Sequence, residues 1–149
     1  MRYVSSSSRH QKWATTYTAQ KYKCSPANLV RAADGSAAAL VNLLARDFDC
    51  FRDEHHYEGR RKPIRVLKRA QIFVADVWAC FEGEGYGEFR DIDKITMFAD
   101  YRIPQILNSL GCLGFSPLLD ATVRDKKDIP SGSNWEMQLR GTYPVRIPT

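Results

Sequence analysis

Residues 63–81 read PIRVLKRAQIFVADVWACF, and the way this stretch folds decides the class of the chain. Proline at 63 suits a first helical turn, where its missing N–H is not needed. Val66, Arg69, Ala70, Phe73, Val77 and the pair Cys80/Phe81 then recur at spacings of three and four, the helical period. Leu67, Ile72, Val74 and Trp78 occupy other faces, which predicts a helix apolar nearly all round and central in an all-α fold. The β-branched residues would allow a strand, but a run this long without a turn signal favours helix.

Working outward, Gly83, Gly85 and Gly87 end that helix. They alternate with acids and have no lysine–serine sequel, so they read as a connector and not a phosphate-binding loop. Asp91 or Asp93 is placed to cap a short helix over 94–99. Pro104 forces a break near 100–103 and a new helix from Pro104 to Leu110, stopped by Gly111. Ser116-Pro117 opens another helix, and Ser133-Asn134-Trp135-Glu136 is a capping box. Gly141, Pro144 and Pro148 predict that the chain leaves helical character at once after that box. Upstream, Ser25-Pro26 begins a helix that Asp34-Gly35 breaks. Ser36 caps the next, through Phe48, with Leu40, Leu43, Leu44 and Phe48 as its apolar stripe. Residues 49–62 are expected to form a surface loop and residues 1–12 to be disordered, whereas 13–23 show no sustained period.

At 149 residues the chain suits one domain, and 44% apolar content is enough for a core. The net charge of +5 fits a nucleotide, phosphate or RNA partner. Acids and bases interleave, however, as in Arg46, Asp47, Asp49, Arg52 and Asp53, so no dense nucleic-acid stripe is present. The cysteines at 24, 50, 80 and 112 form no CxxC pair and lie in no zinc-ligand spacing with the histidines. Cys80 and Cys112 are expected as small buried hydrophobes, and a reducing compartment is implied. No apolar run approaches transmembrane length. The serine-rich, basic N-terminus, free of acids until Asp34, resembles an organellar presequence; a misplaced start codon accounts for it equally.

Chemistry concentrates in 68–105. Asp100 is flanked by Phe98, Ala99 and Tyr101 at a helix break, and a carboxylate in such company has either a raised pKa or a specific partner. A plain capping role is the alternative. Lys68 and Arg69 stand in an otherwise apolar helix, suited to snorkel, to pair with Asp76 or Asp100, or to bind a phosphate. Tyr101 and Phe98 offer flat surfaces for a base, and Trp135 and Glu136 mark a helix terminus that attracts anions. Together these parts suit cleavage of a nucleotide glycosidic bond, with one carboxylate meeting the charge that develops on the sugar. Asp76 or Glu136 is available as a second carboxylate.

KRAQIFVAD (68–76), DIDKITMFADYRIPQ (91–105), LGCLGFSPLL (110–119) and IPSGSNWEMQLR (129–140) resemble the queuosine salvage family of queuosine 5'-phosphate N-glycosylase/hydrolases. The resemblance runs from about Phe48 to Arg140. It implies an all-α domain similar to helix-hairpin-helix DNA glycosylases, here incomplete on both flanks: residues 1–24 poorly defined and 25–149 a partial domain. It implies hydrolysis of queuosine 5'-monophosphate to free queuine for tRNA, without metal or other cofactor. A cytoplasmic monomer is implied, with the nucleus or mitochondria as further locations, no membrane association and no stable nucleic-acid complex. By the resemblance Asp100 is the catalytic aspartate at the anomeric carbon and Lys68 the basic residue near the ribose phosphate and the carboxylate. Phe98 and Tyr101 are walls of the nucleoside pocket, Arg102 braces the loop, and Glu136 matches an acid of the family pattern. Two other readings stand beside it: an inactive truncated remnant, and a helical module that binds tRNA or other nucleic acid.

Overall fold

In the computed structural model, which describes residues 20–96, 98–100 and 102–141, the helix expected from Pro63 begins only at Lys68. Ile64–Arg65 instead forms a short strand, β2, paired antiparallel with Glu54–His55, β1, so that Glu54 faces Arg65 and His55 faces Ile64. The cause lies outside the quoted stretch. The backbone carbonyl of Asp53 accepts from both Val66 N (3.0 Å) and Leu67 N (3.4 Å), which draws this segment away from helix. Leu67 then takes a left-handed conformation (φ 52°) and buries its side chain, and the helix starts immediately after it. Left-handed backbone is costly for leucine, so the turn persists because the contacts on either side of it fix it.

Helix α1 (Pro26–Arg31) and helix α2 (Ala37–Asp47) precede the strands, and α3 (Lys68–Cys80), α4 (Arg102–Ser109), α5 (Pro117–Arg124) and α6 (Asn134–Gly141) follow them. The described residues are thus mainly helical, as expected, with one two-stranded pair whose first strand lies in the expected loop 49–62 and whose second lies in the expected helix. The helix starts at Ser36 and Ser116 are as expected: Ser36 Oγ accepts from Ala39 N at 3.1 Å and Ser116 Oγ from Leu119 N at 3.4 Å. Asp34 and Gly35 end the first helical segment with φ of 49° and 63°.

The main core lies between α2 and α3. Leu40 and Val74 are fully buried and Leu44 nearly so, with Leu29, Ala70 and Phe89 around them. Burying each such large aliphatic side chain stabilises by about 1.5–3 kcal/mol. A chain of edge-to-face rings, Phe48 to Phe51 (6.1 Å) and Phe51 to Phe73 (5.9 Å), holds the segment before β1 against α3. Helix α3 is nevertheless one-sided: Trp78 is 45% exposed and Phe81 equally so, because only the Ala70/Val74 face meets the core. Cys80 and Cys112 are both exposed, contrary to the expectation from their apolar neighbours.

Asp91 serves a different helix from the one expected. Its carboxylate accepts from Ser36 Oγ (2.9 Å), Ala37 N (2.6 Å) and Ala38 N (3.4 Å), and so closes the N-terminus of α2 from 54 positions away. With its own neighbours it makes only a short turn, Ile92–Lys94, and the described residues 95, 96, 98 and 99 of the expected helix over 94–99 are not helical. Burial alone would raise the pKa of Asp91, but Ser36, the backbone donors and Lys94 hold it below the ordinary value. Among the described residues no helix is long and apolar enough to cross a membrane.

Candidate active site

Lys68 is the first residue of α3 and Asp100 sits two residues before α4. The chain between them brings Lys68 Nζ to 2.5 Å from Asp100 Oδ2, with 26% and 33% of the two side chains exposed. The other oxygen, Oδ1, accepts from Arg102 N at 3.2 Å and so caps the start of α4. Asp100 therefore fills both roles read from the sequence, the helix-break cap and the partner of a cation. Capping from this position lets α4 begin at Arg102, so that Pro104 falls within the first turn, where no N–H is needed.

Lys68 and Asp100 lie in the wall of a cleft of about 660 Å³, a size that accommodates a nucleotide-sized ligand. The strand segment and α3 supply Asp49, Asp53, His55 and Arg69; the later helices supply Glu136 and Arg140. Ala99, Pro104, Phe115, Val123, Ile129 and Leu139 give the cleft its apolar surface. Of the sequence candidates, Lys68, Arg69, Asp100 and Glu136 are brought together here. Phe98 is half-buried and Arg102 exposed, neither on the cleft lining, and Tyr101 lies outside the described residues. Between the two proposed second carboxylates the geometry discriminates: Glu136 lines the cleft, whereas Asp76 is exposed on α3 away from it.

Asp53 and Arg140 carry no signal in the charged loop and the last helix that singles them out, yet they organise the cleft. Arg140 grips Asp53 with both guanidinium ends, Nη1 to Oδ1 at 3.0 Å and Nη2 to Oδ2. Asp53 also accepts from Lys68 N (3.4 Å) and faces His55 Nε2 (3.2 Å). Burial pushes the Asp53 carboxyl up, but Arg140 first, then the Lys68 amide and His55, bring it below the usual range. Glu136, four residues before Arg140, meets it at 3.5 Å and accepts from Gly132 N. The capping box holds in modified form: Ser133 Oγ accepts from Glu136 N (3.3 Å), while the Glu136 carboxylate reaches back to Gly132. An eight-residue helix does follow this box, to Gly141, against the expected immediate loss of helix. The Glu136/Arg140 spacing of four was a readable hint of one pair.

The arrangement offers an ionic pair, Lys68–Asp100, beside an apolar surface and opposite a second group of acids and bases. Such a carboxylate can face a cationic centre that develops in a bound sugar, while the apolar surface holds a flat base. Among the described residues no cluster of histidine, cysteine and carboxylate suited to a metal ion occurs.

Comparison with known proteins identifies the family. The family model described as "Queuosine salvage protein" matches residues 6–145, a longer stretch than the Phe48–Arg140 span read from the motifs. A queuosine 5'-phosphate N-glycosylase/hydrolase of Nematostella vectensis is 46% identical over 123 residues, 83% of this chain and 35% of that relative. The Schizosaccharomyces pombe protein of the same name is 46% identical over 120 residues, 80% of this chain and 34% of its own. The Mus musculus protein is 43% identical over 122 residues, 82% of this chain and 36% of its own. The chain spans about a third of the length of the curated relatives it matches. With a match across nearly its whole length, this chain belongs to the queuosine salvage protein family.

Proposed function

We propose that this chain carries the bond-cleaving part of a queuosine 5'-phosphate N-glycosidase, which releases queuine for salvage into tRNA. The observation that carries the reading is the 2.5 Å pair between Lys68 and Asp100 in the wall of an apolar-floored cleft. In the reaction the bond from the anomeric carbon to the base nitrogen breaks. Water supplies hydroxide to that carbon and a proton to the departing base. Asp100 faces the positive charge on the sugar, as nucleophile or by orienting the water, and Lys68 fixes the carboxylate against the helix start. Of the two candidates for a second carboxylate, Glu136 and not Asp76 lines the cleft, and it is assigned that role. Tyr101 and Phe98 are proposed as nucleoside walls and Arg102 as the brace of the loop, on the strength of the family resemblance. No metal or cofactor is assigned. The surrounding fold is proposed to be of the helix-hairpin-helix glycosylase kind, a partial domain over 25–149, in a cytoplasmic monomer.

Incubation of the purified chain with queuosine 5'-phosphate, with a full-length relative in parallel, tests the reading. Release of free queuine by both supports it. Release by the relative alone assigns this chain to the inactive-remnant reading, and a positioning error of about 1 Å is enough to cost a hundredfold in rate.

A further inference from the structure

We infer that Arg69, and not the neighbouring Lys68, receives the phosphate of a sugar-phosphate bound in the cleft; the inference rests on the proposed function and assigns its phosphate subsite. The ground is the distribution of charge around the cleft. Arg52 is tied to Asp49 at 3.1 Å and gives two further bonds to the carbonyls of Ala45 and Arg46. Arg140 serves Asp53 and Glu136 together. Lys68 serves Asp100 at 2.5 Å. Arg69 has no carboxylate within ion-pair distance among the described residues. Its guanidinium makes one long bond, Nη1 to the Cys50 carbonyl at 3.4 Å.

Arg69 and Cys50 both line the cleft, and that one bond leaves most of the five guanidinium donors available. An incoming phosphate at Lys68 would have to compete with Asp100 for a single ammonium, and would stand beside a carboxylate of its own sign. At Arg69 it meets a planar donor set suited to two-pronged phosphate binding and displaces no carboxylate. The cleft is thereby polarised. Each of its acids already has a cation, Asp53 and Glu136 on Arg140, Asp49 on Arg52 and Asp100 on Lys68, and its spare positive charge lies at the start of α3. A nucleotide would then lie with its phosphate toward Arg69 and its anomeric carbon toward Asp100, leaving the Lys68–Asp100 pair intact for the chemistry.

The test uses ribose 5-phosphate and ribose as probes on the intact chain, titrated calorimetrically. Ribose 5-phosphate is expected to bind more tightly than ribose, and less tightly as salt is raised. Arg69→Gln is expected to lower that affinity by about tenfold or more, the size of one lost charge-assisted contact. The double variant Lys68→Met/Asp100→Asn removes the pair without changing net charge and is expected to leave the affinity within about threefold. Arg31→Gln, on α1 and outside the cleft, serves as the control for net charge. Equal binding of ribose and ribose 5-phosphate overturns the inference. So does a loss of affinity in the double variant with none in Arg69→Gln. Binding of queuosine 5'-phosphate no tighter than ribose 5-phosphate, with the Arg69 effect intact, would instead sink the proposed substrate while leaving the subsite.

Discussion

Asp53 and Arg140, 87 positions apart, meet as a two-pronged ion pair that fastens the start of α3 to the last helix. The same carboxylate accepts the Lys68 amide, and the Asp53 carbonyl holds Val66 and Leu67. One residue therefore sets where α3 begins and hence where Lys68 emerges. The pair also joins the only part of the described chain with an extended core, residues 22–95, to helices α4–α6, whose buried side chains are few: Pro104, Leu119 and Met137.

Arg140→Met is expected to destabilise the chain by about 2–3 kcal/mol. Removing one partner of a buried pair costs about 3–5 kcal/mol; here 13% and 19% of the two side chains remain exposed, which lowers the cost. Urea unfolding followed by tryptophan fluorescence measures it, and a loss under about 0.5 kcal/mol would show the strut to be dispensable.

This strut explains why the start of α3 is not legible in the sequence while the serine caps are. Ser36 and Ser116 bond to amides three residues on, so a short window of sequence contains both partners. Asp53 acts on residues 66–68 across an intervening charged loop, and nothing local distinguishes it from Asp49 or Asp47. Asp91 is the same case at longer range: its cap lies on α2, and a reading restricted to neighbours assigns it to a helix of its own. The cysteines at 80 and 112 are exposed despite apolar neighbours, because such neighbours imply burial only when a second layer covers that face. Asp100 is legible because its cap and its position after Phe98 are both local, whereas the sequence leaves the partner of Lys68 open between Asp76 and Asp100, and only the fold selects Asp100.

Acid is expected to unfold the chain partly through Asp53 and Asp91. Both carboxyls titrate below their ordinary value in the folded chain. Each therefore binds protons more readily when unfolded, so its contribution is complete above the unfolded pKa of about 3.9 and is lost as pH falls through the lower folded value. Asp91→Asn removes one such contribution. It should lower stability at neutral pH and flatten the decline below about pH 4, as followed by thermal unfolding across pH. An unchanged acid limb would refute the role of Asp91.

Gly87→Ala is expected to destabilise by about 1–3 kcal/mol. A Cβ there would lie 2.8 Å from Phe81 Cβ and 3.0 Å from the Val77 carbonyl oxygen, contacts that backbone cannot easily relieve. The turn Gly85–Gly87 packs against the end of α3, so the strain should appear as earlier amide exchange in 77–89. Gly59→Ala, with open space around its Cβ but φ of 80°, offers a comparison in which only backbone conformation is taxed.

Lys68→Met separates the structural from the chemical role of the site. The ion pair is one-quarter to one-third exposed, so its loss should cost no more than about 1 kcal/mol of stability. Asp100 retains its bond from Arg102 N and with it the start of α4. If the Lys68–Asp100 pair works on the glycosidic bond, release of queuine should nevertheless fall by about a hundredfold or more in Lys68→Met, and by about a thousandfold in Asp100→Asn. Binding of queuosine 5'-phosphate should change far less than release in Asp100→Asn, because a carboxylate that meets charge developing only at the sugar stabilises the transition state and not the bound nucleotide. The variants would be introduced into this chain and, at the matching positions, into a full-length relative, with binding and queuine release measured on each. Loss of binding in step with loss of release would place Asp100 in substrate recognition instead, and unfolding of Lys68→Met would place the pair in the fold.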